Sequence, residues 1–211
     1  MKIKLWQILV ISYIIFQAGL SCNKETLNKD CNSRFRYYSY NNAVPDIIKM
    51  TEIPNEGTIT FYDTLSIDNI NQILNTYPDI KCLSSSTYGN WIIISINSKS
   101  CPETDLLFSQ IKEDPKVSNC NKVLVDQDGY NIGILDRLIC VLKKETSWDI
   151  VNDLIINTNT TIIDYSANTR TLLLKADKNS KGDALDIANE FFESGYFEYA
   201  EPNFISNFYN N

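Results

Sequence analysis

Hydrophobic and polar residues recur along the chain at spacings that predict strands and helices in a fixed order. Runs rich in Ile, Leu, Val and Phe predict strands at 57–63 and 137–143. A helix with one buried stripe is predicted after each strand, because apolar residues recur there every three or four positions. Ser66 and Ser147 are suitable N-caps for these two helices. The same criteria predict further strands at 79–84, 91–97, 117–126, 161–166, 170–176 and 196–205, and further helices at 102–114 and 181–194.

The order of these elements is β-α-β-β-α-β, and it occurs twice at an offset of about eighty residues. "WIIISIN" from Trp91 aligns with "TLLLKAD" from Thr171, and the two N-cap serines align with each other. The pattern therefore predicts an α+β protein with two tandem ferredoxin-like units, at 57–131 and 132–211. Each unit should have a four-stranded antiparallel sheet with two helices on one face.

The third strand of each unit does not alternate as a sheet with one wet face should. "WIIIS" and "TLLLK" each contain three consecutive aliphatic residues, so some apolar side chains point away from the helices. Either the two units cover each other's open sheet faces, or at least one open face docks on another protein. The sequence leaves both interpretations open.

The N-terminus has the pattern of a secretory signal peptide. Lys2 and Lys4 precede an apolar run at 5–16, and small residues follow before Cys22, which predicts a signal peptide at 1–21. "AGLSC" resembles the lipobox of bacterial lipoproteins, with Gly19 in place of the usual Leu. The resemblance implies export, acylation of Cys22 and a lipid anchor in the cell envelope, at the outer membrane. The alternative is ordinary cleavage near Ser21, and 22–56 is expected to be a tether and N-terminal segment.

Charge and cysteine content narrow the class of protein further. The formal net charge is −7, and no basic cluster suited to nucleic acid is present, so nucleic acid is not an expected partner. An odd number of cysteines in an oxidising compartment leaves at least one without an intrachain partner. We expect Cys101 to pair with Cys120 and Cys140 to behave as a buried apolar residue. The five cysteines after Cys22 are Cys31, Cys82, Cys101, Cys120 and Cys140.

The residue types present do not predict an enzyme. The chain contains no histidine, so it lacks the imidazole of a Ser-His-Asp triad, and its cysteines lack zinc-site spacing. Asp126 and Asp128 begin like a calcium loop, but no Glu stands at the closing position. We therefore expect no catalytic residues, no metal and no cofactor.

The C-terminal part of the chain resembles a known family. A β-α-β-β-α-β unit ending in "GYFEYAEPNF" resembles the propeptide, or inhibitor-type prodomain, of subtilisin-like serine proteases. "VPDIIKMTEIPNEGTITFYD", after "RFRYYSY", resembles the opening of the long propeptides on secreted bacterial subtilases. In this family the sheet packs on two surface helices of the protease, acidic residues near the end of the last strand face the helix N-termini, and the tail lies in the active-site cleft.

The resemblance implies a set of protease-binding residues. Glu201 occupies an acidic position of the family, and Asn203 stands where the family often has Asp. The tail would begin at Phe204, include Ser206 and Phe208, and place Tyr209 near the primary specificity pocket. Without the resemblance, Glu201-Pro202-Asn203 would be an exposed turn that ends a strand.

Three functions are compatible with these residues. The first is a lipid-anchored, stand-alone propeptide-like inhibitor or folding helper of a subtilisin-like serine protease, with the chain ending where a propeptide would be cut. The second is a non-enzymatic surface module that binds another protein. The third is a truncated propeptide that has lost its catalytic domain.

Overall fold

The computed structural model describes residues 31–38, 46–86, 90–98 and 100–206 of the 211-residue chain. The predicted signal peptide, Cys22, Phe208 and Tyr209 lie outside these residues. Four helices occur in the described part: α1 (Ile67–Leu74), α2 (Cys101–Lys112), α3 (Trp148–Thr158) and α4 (Ala184–Glu193). Its strands are β1 (Ser33–Tyr38), β2 (Asp46–Phe61), β3 (Ile80–Ser85), β4 (Trp91–Ile96), β5 (Val117–Asp126), β6 (Asn131–Leu142), β7 (Thr161–Ser166), β8 (Thr171–Lys175) and β9 (Phe197–Ser206).

All nine of these strands form one curled antiparallel sheet. The order is β3-β4-β2-β5-β6-β8-β7, with β1 also paired to β2 and β9 also paired to β6. The prediction of two tandem ferredoxin-like units, each with its own four-stranded sheet, is therefore wrong. We use "first half" for the elements from β2 to β5 and "second half" for those from β6 to β9.

A tight turn explains why the sheet is continuous. The carboxylate of Asp126 accepts hydrogen bonds from the backbone N–H groups of Asp128 and Tyr130, at 3.0 and 2.8 Å. Gly129 supplies the positive φ, 84°, that the reversal needs. Residues 127–130 thus form the turn of a hairpin, in which β5 pairs with β6 at Leu124–Ile132 and Val125–Asn131.

The first strand of each half is long and interrupted. β2 shifts register against β5 between Glu52 and Gly57, and β6 shifts register against β9 between Ile134 and Leu138. Such irregularities bend a strand and increase its twist. The bends allow β2 and β6 each to join the shared central part of the sheet and the outer part of their own half.

Local sequence signals account for the helix starts. The side chain of Ser66 accepts from the N–H of Asn69, and Ser100 caps α2, which has proline in its first turn. Asp183 forms a capping box with Asp186 at the start of α4. Ser147 precedes α3 without a side-chain capping bond.

Two hydrophobic cores lie under these helices. In the first half, Ile73 of α1 and Phe108 of α2 pack with β-strand residues such as Ile59. In the second half, Val151 of α3 and Phe191 of α4 pack with a larger set of strand residues. That set is Leu138, Cys140, Leu142, Leu172, Leu174, Phe197 and Ala200.

The disulfide differs from the predicted one. Cys31 pairs with Cys101, with 5.4 Å between their Cα atoms, so the predicted Cys101–Cys120 bridge is wrong. The N-terminus of α2 faces the segment before β1, and the sequence predicted no structure there. Burial raises the pKa of the Cys120 and Cys140 thiols, and Cys140 is confirmed as a buried apolar residue. Cys82 is an exposed free thiol.

Candidate protein-docking face

The second half has an open sheet face on the side away from α3 and α4. Because side chains alternate across a strand, Leu138 and Cys140 point into the core and Ile139 and Val141 point the other way. Leu173 of β8 lies directly opposite Ile139 in the ladder. We call Ile139, Val141, Leu173, Tyr199 and Glu201 the docking face.

Apolar side chains on the docking face remain in contact with solvent. Ile139 is 42% exposed at the centre of the face, and Val141 and Leu173 are half-buried. Tyr199 of β9 lies opposite Val141 and extends the apolar row across a third strand. A cluster of this kind on the exposed face of a sheet is a feature of protein interaction sites.

The equivalent face of the first half is covered. Ile93, the middle aliphatic of "WIIIS", is 0% exposed, whereas its counterpart Leu173 is half-buried. The covering residue over Thr58 and Ile93 is Gly133 of β6, where an added Cβ would lie 2.7 Å from the Thr58 hydroxyl oxygen and 3.2 Å from a methyl carbon of Ile93. The covering interpretation thus applies to the first half, whereas the face of the second half stays exposed.

Polar contacts complete the cover over the first half. The carboxamide of Asn121 donates to the backbone carbonyl of Ile134 at 3.3 Å, and that of Asn119 donates to the carbonyl of Ala176 at 3.1 Å. These bonds satisfy buried amides that would otherwise destabilise the fold. The covered face is therefore an internal interface of the protein.

Glu201 lies at the β9 edge of the docking face and is already engaged. Its side chain is only 14% exposed, and the hydroxyl of Tyr199 donates to its Oε2 at 2.7 Å. The Arg36 guanidinium of β1 lies 4.0 Å from the same oxygen. Oε1 is buried and has no hydrogen-bond partner among the described residues. Oε1 could thus accept another donor, but because it is buried, a neighbouring group would have to move first.

The remaining predicted site residues are divided between the sheet and the undescribed end of the chain. Asn203 is exposed, and Ser206 is exposed at the end of β9, opposite Ile132. Phe204 lies opposite Ile134 and packs against the second core. Pro202 does not end the strand, since β9 continues to Ser206. The structure therefore brings Glu201, Asn203, Phe204 and Ser206 onto one strand.

The sequence reasoning missed the N-terminal strand β1, which falls in the predicted tether. β1 pairs with the first part of β2 over six residue pairs. The signal was present in "RFRYYSY", because Arg34 and Arg36 alternate with Phe35 and Tyr37 at the period of a strand.

An ion network connects β1 to the rest of the molecule. Arg34 donates two hydrogen bonds to the Asp183 carboxylate, at 2.6 and 2.9 Å, and one to Asp186 at 2.6 Å. Lys122 lies 3.1 Å from Glu52, which is 4.0 Å from Arg34. The network joins the start of α4, in the second half, to β1 and to strands β2 and β5 of the first half.

The network shifts the pKa values of Asp183 and Asp186 in opposite directions. Burial alone would raise the pKa of Asp183, but the hydrogen bonds and charge of Arg34 outweigh it and hold that pKa below the usual value. Burial and the neighbouring Asp183 charge raise the pKa of Asp186. Arg34 is held firmly in its charged form.

A cavity lies beside β1, apart from the docking face. A cavity of about 650 Å³ is lined by Phe35, Tyr37, Ile47, Lys49 and Val125, together with the neighbouring residues of β1, β2 and β5. Its size is in the range of small-molecule sites. Within the described ranges there is no cluster of three metal-binding side chains, and no helix there is long and apolar enough to cross a membrane.

Comparisons with known proteins place the chain in no family. No protein-family model matches it, and no curated protein has significant sequence similarity to it. Among solved structures, the small subunit of acetolactate synthase from Thermotoga maritima is similar at 12% identity, over 72% of this chain and 95% of that chain. The TM-score of that superposition is 0.26, too low to establish a shared fold.

Proposed function

We propose that this protein is a non-enzymatic binder of a subtilisin-like serine protease, acting as its inhibitor or folding helper through the docking face. The proposal includes export and a lipid anchor on Cys22, which would hold the protein at the cell envelope. The observation that carries the proposal is the exposure of Ile139 and Leu173, on a face whose counterpart in the first half is buried.

The physical argument begins with the solvent-exposed apolar row. Removing apolar surface from water stabilises a complex by about 25 cal/mol per Å². The row lies on three hydrogen-bonded strands and is rigid before binding, so little conformational entropy opposes association. A helical surface on a partner could pack on such an exposed sheet face.

The choice of a protease as the partner rests on the motif at the end of the docking face. Glu201 belongs to "EYAEPNF", the stretch that resembles subtilase propeptides, and it lies beside the apolar row. A carboxylate at this edge would be favoured by the N-terminus of a partner helix, where amide hydrogens are unsatisfied. The apolar row and the acidic residue thus support the same kind of contact.

The experiment is a binding and inhibition assay with the mature chain and subtilisin-like proteases. Ile139→Asp should weaken binding by at least tenfold, because it places an unpaired charge in the centre of the interface. Ile156→Asp is the matched control, since Ile156 is 74% exposed on α3, away from the docking face. Thermal unfolding of both variants checks that the fold is retained.

The outcomes separate the two parts of the proposal. If no subtilisin-like protease binds at micromolar concentration, the identity of the partner is wrong. If a protease binds and Ile139→Asp and Ile156→Asp behave alike, the docking face is wrong. Inhibition that persists in a version ending at residue 205 would show that the tail with Phe208 and Tyr209 has no role.

A further inference from the structure

β1 connects the two halves and lies over the acidic end of the docking face. It pairs with β2 on one side, and its aromatic and charged side chains contact α4 on the other. Tyr37 stacks on Phe192 with 4.7 Å between ring centroids, and the Asn189 carboxamide donates to the carbonyl of Phe35 at 2.8 Å. The strand is thus held by side chains on the side away from β2.

Arg36 of β1 covers two of the residues implied in protease binding. Its guanidinium carbon lies 4.8 Å from the centroid of the Phe204 ring, and a terminal nitrogen lies 4.0 Å from the Glu201 carboxylate. The Arg36 and Glu201 side chains are only 17% and 14% exposed. A partner group that takes the place of Arg36 at the Glu201 carboxylate must displace this side chain, and release of β1 would remove it.

The disulfide restrains this movement. Cys31 lies two positions before β1 begins and is bonded to Cys101, the first residue of α2. The other end of β1 continues into β2, so both ends of the strand are attached to the first half. If β1 leaves its place while the disulfide is intact, it forms a closed loop.

Breaking the disulfide would free one end of that loop. With the disulfide intact, the open state contains a closed loop of about 15 residues, from Cys31 to the start of β2. Closing a loop of this length lowers the conformational entropy of the open state and should reduce its population roughly a hundredfold. Cys31 is half-exposed, whereas Cys101 is almost fully buried, so an external thiolate has access to the Cys31 side of the bond. A dithiol would attack there, form a mixed disulfide and then become oxidised, leaving Cys31 and Cys101 as thiols after the transfer of two electrons and two protons.

We propose that β1 is a redox-locked cover over Glu201 and Phe204: the Cys31–Cys101 disulfide keeps Arg36 in place, and reduction by a dithiol lets β1 open. The use of this cover in regulation rests on the proposed function of the docking face. Among the described residues, the buried members of the two cores include none from β1, so β1 can open as a local event while both cores stay folded.

Hydrogen exchange on the isolated mature protein tests the lock without any partner. Those amides of 33–38 that hydrogen-bond to β2 should exchange roughly a hundredfold faster in Cys31→Ser, and in wild type reduced with dithiothreitol, than in oxidised wild type. Exchange in β5 and α4 should not change. Cys82→Ser removes an exposed free thiol and is the matched control, for which no change is expected. If Cys31→Ser does not fold, the reduced wild type gives the same comparison.

A second measurement connects the lock to binding. Arg36→Ala should bind the protease about tenfold more tightly than wild type, since Glu201 no longer has to be uncovered. Unchanged exchange of β1 on reduction, or an equal rise over the whole chain, would overturn the lock. If β1 responds to reduction and no subtilisin-like protease binds, the lock stands and the proposed function is wrong.

Discussion

Replacing Arg34 by alanine tests whether the ion network contributes to the free energy of unfolding. The Asp183 side chain is 11% exposed and receives two hydrogen bonds from Arg34, at 2.6 and 2.9 Å. Truncating one partner of a buried ion pair leaves the other charge without compensation, at a cost of about 3–5 kcal/mol. For a chain of this size, 1 kcal/mol corresponds to about 2–4 °C in Tm, so Tm should fall by about 10 °C.

The measurement is thermal and urea unfolding of a double-mutant cycle. Asp183→Asn keeps the N-cap acceptor of α4 and removes the charge, so it should cost less than Arg34→Ala. The double variant should be more stable than the sum of the single losses predicts, because neither charge is then left alone. A change in Tm below about 2 °C for Arg34→Ala would refute the reasoning, as would strict additivity.

The same network predicts a pH dependence with a definite sign. The folded pKa of Asp183 lies below its ordinary value of 3.8, so its contribution to stability is fully present above that value. The contribution is lost as the pH falls through the lower, folded pKa. In Arg34→Ala the hydrogen bonds and charge of Arg34 are lost, while the backbone hydrogen bonds from Leu185 and Asp186 remain. Burial of Asp183, the largest cause, should then raise its pKa relative to wild type. That variant should therefore lose stability at a higher pH than wild type, which unfolding curves between about pH 3 and 6 would show.

Three further predictions follow from single residues. Phe191→Ala should cost about 3–5 kcal/mol in urea unfolding, because the ring is fully buried and stacks on Phe197 at 5.0 Å, and a cost below about 1 kcal/mol would contradict the described core. Gly133→Ala should destabilise the protein by about 1–3 kcal/mol, since its Cβ would lie 2.7 Å from the Thr58 hydroxyl, and a neutral effect would argue against the covered face. Cys22→Ser should abolish incorporation of labelled palmitate and release the protein into the soluble fraction, whereas unchanged membrane association would rule out the lipid anchor.

The bounds of several strands could be predicted well, because they are set by residues within or next to each strand. The strands predicted at 117–126 and 161–166 have these bounds in the structure, since β-branched runs and turn residues delimit them. The sequence did not predict that the two halves share one sheet. Their connection depends on the hairpin after Asp126 and on the register of β5 against β6. Disulfide connectivity has the same limit: cysteine spacing alone does not reveal that Cys31 approaches Cys101.

The candidate site could be predicted only in part. The aliphatic triplets indicated that a sheet face was either covered or used for docking, and the structure shows that Ile93 is covered and that Leu173 is partly exposed. Which half would cover the other depends on the bend in β6, a tertiary feature. Without the family resemblance, Glu201-Pro202-Asn203 would have been expected to end the strand, but β9 continues to Ser206, close to the end of the strand predicted at 196–205. In the described sheet β9 pairs only with β6, and proline is tolerated in such an edge strand.

The contacts of β1 with α4 also limit how early β1 can take its place in the fold while the chain is being synthesised. Arg34 and Tyr37 hydrogen-bond to Asp183, Asp186 and Glu193, over sequence separations of 149 to 156 residues. Contacts this distant in sequence form late, because the chain entropy of closing so long a loop opposes them. β1 leaves the ribosome before α4 has been made, and its aromatic side chains then lack the surface on which they pack. Folding after export of the whole chain, or a carrier that shields β1 until α4 arrives, would avoid aggregation through this strand.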